Sequence, residues 1–117
     1  ASPVAVFDAF IAMWRTQLED SDFRAGCPVL AVAIESNAAA PQLTVAAARA
    51  FDSWREALEA HFRRHGVARV RARRLSTMVV ASVEGAVALC RVDRSSQPLT
   101  DAAFELRRLI SDATDHQ

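Results

Sequence analysis

Residues 75–89 read LSTMVVASVEGAVAL, a helix-length run in which nearly every side chain is apolar or small and no face is polar. A helix that is greasy all the way round has to be covered on every flank, so neighbours from its own domain can satisfy only part of this one. A second copy of the same chain is the economical source of the remaining cover. The stretch therefore predicts a helical domain that self-associates.

The rest of the 117-residue chain fits a single domain, long enough to bury about two-thirds of the surface its unfolded form exposes. It is 51% hydrophobic and 24% charged with zero formal net charge, which excludes a disordered chain and gives no general pull toward nucleic acid or acidic membranes. All 14 basic residues are Arg and Tyr is absent, a bias that fits GC-rich coding and a bacterial source. Cys27 and Cys90 lack CxxC spacing, so neither a disulfide framework nor a zinc knuckle is indicated. With no basic leader and no strictly apolar run long enough to cross a bilayer, a cytoplasmic chain without membrane contact is expected.

Working outward, Ser2-Pro3 is an N-cap and first-turn pair ahead of Val4, Phe7, Ile11, Trp14 and Leu18, spaced at three and four, which predicts a first helix to about Asp20. Gly26 supplies a flexible turn, and Pro28 opens a short, sandwiched helix ending near Asn37. Pro41 opens a third helix carrying Ala47, Phe51, Trp54, Leu58 and Phe62, closed by Gly66 with Val67 against Phe62. The fourth runs from Ala68 to Asp93. Thr100 is a plausible N-cap for the last, with Leu99 and Phe104 placed as a hydrophobic staple and Leu106, Leu109 and Ile110 continuing the buried face. The expected fold is all-α, a five-helix bundle.

Catalytic chemistry finds little footing. His61 and His65 are one turn apart, but Arg63, Arg64 and Arg69 around them repel a divalent cation and no third ligand is near. No Glu-x-x-His pair supports a di-iron centre, and phosphate loops, nucleophile elbows and HExxH are missing. The expectation is a non-enzyme without metal or cofactor. The arginines Arg63, Arg64, Arg69, Arg71, Arg73 and Arg74 read as a solvated, carboxylate-paired face, with phosphate contact as the rival reading. Cys27 precedes Pro28 at a helix start, where a thiolate is stabilised; a small buried turn residue is the simpler account. Glu84 stands alone in the apolar run and must find an Arg, a hydroxyl, water or a ligand. Phe10, Trp14, Phe51, Trp54 and Met78, with Phe7, are either ordinary core or the lining of a partly open cavity for drug-like molecules.

The segments Trp14-Arg15 to Leu18, Ser21-Asp22-Phe23-Arg24-Ala25-Gly26-Cys27-Pro28-Val29, and Ala31-Val32-Ala33 to Glu35 together resemble the ligand-binding domain of TetR/AcrR-family transcriptional regulators, in particular the LmrA/YxaF-like subgroup. Phe51 to Trp54-Arg55, Arg73-Arg74-Leu75, Glu84-Gly85-Ala86, and Pro98-Leu99 leading to Glu105-Leu106 extend the likeness over nearly the whole chain. The resemblance implies a homodimeric repressor with a four-helix dimer seam and an inner effector pocket. On it, residues 1–117 form an effector-binding and dimerisation domain. No segment here reads as a recognition helix, so either a helix-turn-helix of a longer regulator makes the DNA contact or the chain is a sensor domain working alone.

The ligand-binding residues expected are Phe10, Trp14, Phe51, Trp54 and Met78, taking a small hydrophobic or amphipathic effector. Those expected at the dimer interface are Leu75, Val79, Val83, Ala86, Leu89, Phe104 and Leu109. A stand-alone helical protein-interaction module and a redox sensor built on Cys27 are the alternatives.

Overall fold

In the computed structural model, which describes residues 1–35 and 40–114, the chain forms α1 (Pro3–Asp20), α2 (Pro28–Glu35), α3 (Pro41–Arg64), α4 (Arg69–Asp93) and α5 (Gln97–Thr114). The Ser2 hydroxyl accepts from the Ala5 amide at 3.1 Å, so one of the four donors left over at the start of α1 is satisfied as its Ser-Pro start predicts. At the far end of α3, Gly66 takes φ 90°, the Val67 amide donates to Phe62 O at 3.0 Å and the Gly66 amide to Arg63 O at 3.1 Å. These two bonds make a Schellman stop, with Phe62 and Val67 both buried.

The helices pack in the order α2, α3, α4, α5, α1, and α1 also reaches α4. The molecule measures 47 × 32 × 18 Å, and 18 Å is less than two helix diameters, so each helix keeps a face that no neighbour in the chain covers. Phe7, Ile11, Trp14 and Leu18 of α1 meet Leu99, Leu106 and Ile110 of α5 and the inner face of α4 in one continuous core. Each such side chain, fully buried, contributes about 1.5–3 kcal/mol. The rim between α1 and α5 is polar: Arg107 pairs with Asp8 at 3.1 Å, Arg15 donates to Thr100 at 3.1 Å and Ser96 to Glu19 at 3.0 Å. These partners ascend along α1 as they descend along α5, which makes the two helices antiparallel.

Several local expectations are revised. The tight turn after α1 does not rest on Gly26; left-handed backbone falls at Asp22 (φ 55°) and Phe23 (φ 62°), and Arg94, itself left-handed at the end of α4, pairs with Asp22 at 2.5 Å. At Gly26 a Cβ would meet only the guanidinium end of the flexible Arg91 side chain, which can swing aside. α5 starts three residues before Thr100: the Gln97 amide donates to the Ser95 hydroxyl at 3.1 Å, and Thr100 already lies in the first turn. The staple does not form, since Leu99 is buried while Phe104 projects into solvent.

Nor is α2 sandwiched; it packs on α3 with Val29 and Leu30 half-covered and Ile34 exposed. The end expected near Asn37 lies outside the described residues. By length and mean hydropathy α4 is the one described helix that passes for a membrane span. Its inner face is nevertheless packed between α3 and α5 as the central helix of the bundle.

Candidate functional site in the cleft beside Glu84

α4 has three faces with different surroundings. Leu75, Val79, Val83, Ala86, Val87 and Cys90 point into the core; toward α3, Thr77, Val80, Ala81 and Glu84 line a cleft of about 430 Å³ whose other walls are Leu30 of α2 and Phe51 and Arg55 of α3. The third face looks outward. There Gly85, Ala88, Leu89 and Val92 join Pro98 and Ala102 of α5 around a wider hollow of about 730 Å³. Gly85 borders both hollows, with open space where a Cβ would stand.

The cleft is apolar apart from three groups. Thr77 is exposed, and the Arg55 guanidinium is already paired with Asp52, one turn earlier on α3. Glu84 is the anomaly: among the described residues its buried Oε2 has no hydrogen-bond partner, and a polar group near it is the thiol of Cys27, which leads into α2. Burial holds the Glu84 carboxyl above the usual carboxylate range, partly offset by the interaction with Cys27. Burial likewise raises the Cys27 thiol, and the Glu84 charge adds to that. The start of α2 and the middle of α4 thus come close together where Cys27 neighbours Glu84.

Of the residues expected to bind a ligand, only Phe51 lines this cleft. Trp54 stacks edge-on against it at 5.4 Å between centroids and is partly exposed. Trp14 is buried in the core with its indole Nε1 unpaired, and Phe10 and Met78 lie on the outer surface of α1 and α4, the Met78 sulfur accepting from Ser82 at 3.3 Å. Sequence spacing marks the apolar residues but cannot say which of them the packing of α1, α3 and α4 brings to one cleft. Glu84 was visible as a lone charge. Leu30, Thr77, Val80 and Ala81 were missed, and only their neighbourhood with Glu84 on the helical wheel would have signalled the α4 members.

The expected seam residues also divide. Leu75, Val79, Val83 and Ala86 are 2–4% exposed and packed mainly against the chain's own helices, and Ala86 also borders the outer hollow. Leu109 is half-buried against the core. Leu89 and Phe104 are exposed, and the apolar surface of α4 continues through Met78 and Val92, all four being 50–80% exposed.

Elsewhere, His65 Nδ1 contacts His61 O at 3.0 Å, and burial followed by the positive charges of His65 and Arg64 lowers the His61 pKa. Among the described residues no cluster of three metal-ligating side chains occurs. The arginines from Arg63 to Arg74 are exposed, and none belongs to a salt bridge among the described residues, in place of the carboxylate pairing expected.

A family model described as the C-terminal domain of LmrA/YxaF-like transcriptional regulators matches residues 3–105. The chain belongs to this TetR-type family. HTH-type transcriptional regulators of Mycobacterium tuberculosis, from strains CDC 1551 / Oshkosh and ATCC 25618 / H37Rv, are each 37% identical to it over 111 residues, covering 90% of the chain. The chain spans 57% of the length of these relatives. No solved structure matches it significantly. An LmrA/YxaF-like C-terminal domain with five helices and no strand among the described residues agrees with the all-α bundle read from the sequence.

Proposed function

We propose that this regulatory domain senses a small hydrophobic or amphipathic molecule in the cleft between α2, α3 and α4, and pairs with a second copy through the outward face of α4. The observation that carries the reading is the cleft itself: about 430 Å³, apolar walls, and a buried carboxyl oxygen without a partner. That volume and lining suit a small-molecule site. The outer hollow is shallower and continuous with Leu89 and Val92, which suits a self-complementary seam.

Ligand and seam communicate through α4, because Glu84 faces one and its neighbour Gly85 borders both. A ligand that wedges α2 and α3 away from α4 favours one arrangement of the two copies, and that difference in affinity is the regulatory signal. DNA is contacted by the helix-turn-helix of the full-length regulator, in the cytoplasm, and no enzymatic step is involved. The redox-sensor reading of Cys27 loses its support, since burial disfavours the thiolate that such chemistry needs.

Thermal melting with an apolar probe, octanol, tests the cleft. At a hundredfold excess over Kd the wild-type chain gains about 2.7 kcal/mol. Ala81→Trp, which fills the cleft from its exposed edge, keeps the fold and loses the gain. Absence of any shift in the wild type, or an equal shift in the filled variant, overturns the assignment.

A further inference from the structure

We propose that the molecule recognised in this cleft carries a positively charged nitrogen donor, an ammonium or amidinium on an apolar body, and that Glu84 is its partner. The inference rests on the cleft being the effector site and names the chemistry that site selects.

Glu84 lines an otherwise mostly apolar wall, and its buried Oε2 has no hydrogen-bond donor among the described residues. A buried carboxylate is an acceptor only, and leaving such a group unpaired is costly, so a donor brought by a ligand recovers more here than at a surface carboxylate. The terminal torsion of a Glu side chain is soft, so either oxygen can turn to the opening. The cation already in the cleft does not serve, because Arg55 is held by Asp52 on its own helix. Cys27, the remaining polar group beside Glu84, offers only a weak S–H donor.

An anionic ligand finds the opposite situation, with its one candidate cation neutralised and an acidic group at its side. The apolar walls from Leu30, Phe51 and Val80 bind the body, and Glu84 reads the head. Because Leu30 of α2 lines the same cleft as Glu84, a ligand held by this carboxyl also touches the short helix that a sensor can move.

Three probes with one tail separate head from body: octylammonium, octanol and octanoate, titrated into the chain with tryptophan fluorescence and melting temperature as readouts. Octylammonium is expected to bind about tenfold or more tighter than either of the others, the effect of one charge-assisted hydrogen bond in a partly desolvated site. Glu84→Gln abolishes that preference while leaving octanol affinity within about twofold, which also shows that the variant is folded. In the wild type the octylammonium affinity rises from acid toward neutral pH as Glu84 ionises, with Arg55 held by Asp52 and Cys27 neutral across that range, and Glu84→Gln flattens the profile.

Binding of all three probes without preference overturns the head-group assignment and leaves the cleft standing, as does a preference that survives in Glu84→Gln. Tighter binding of octanoate overturns it in favour of Arg55. If none of the three binds, both the head-group assignment and the cleft reading fail.

Discussion

The two long faces of α4 are built from the same kinds of residue and meet opposite fates. Leu75, Val79, Val83 and Val87 are sealed in the core, while Met78, Gly85, Leu89 and Val92, interleaved with them one step round the helix, look outward. Composition sets how much cover a helix needs, and only the placement of α3, α5 and α1 decides which face receives it from inside the chain. The face left over is the one available for association.

Arginine substitution separates the two faces most sharply. Val83→Arg places a charge in the sealed face and is expected to remove several kcal/mol, on the order of 3–5, leaving no cooperative melt. Leu89→Arg, on a residue already 55% exposed, should leave helicity and melting of the protomer intact and abolish association. Equal damage from both would erase the distinction. Truncation repeats the contrast on a smaller scale: Leu75→Ala is expected to lose about 2–5 kcal/mol by denaturant unfolding of the dissociated chain, and Leu89→Ala less than about 1.

The pH dependence of stability probes the third face. Folding raises the Glu84 pKa above its ordinary 4.5, so the folded chain holds that proton more tightly than the unfolded one. Its contribution is full below about pH 4.5 and is lost as pH rises through the folded pKa. Glu84→Gln should therefore melt higher than wild type at neutral pH, with the gap closing toward pH 4.5; a gap that does not depend on pH contradicts the buried-carboxyl account. His61, lowered by burial, acts in the opposite sense, with stability falling as pH drops below 6.5, and it is common to both proteins.

Helix count, the Ser2 cap and the Gly66 stop were legible because they depend on a few adjacent residues. That α4 carries more apolar surface than its own chain covers was legible too. The inward or outward sense of Val79 against Leu89 was not, since a helix hydrophobic on all sides carries no periodic signal to orient it. Thr100 misled for a related reason: it has the chemistry of a cap, but the hydroxyl of Ser95, two residues before the helix, is the one that accepts from the Gln97 amide. The candidate site was half legible. Glu84 stands out in any reading of the run, whereas its relation to Cys27 and Phe51 depends on a tertiary arrangement that spacing does not encode.

Sedimentation equilibrium of the chain against Leu89→Arg tests the central claim, that the outward face of α4 is closed by a second copy. The account predicts twice the 12.8 kDa chain mass for the wild type and a folded 12.8 kDa species for the variant. A wild type that sediments at 12.8 kDa with α4 helical and its outer face wet contradicts it.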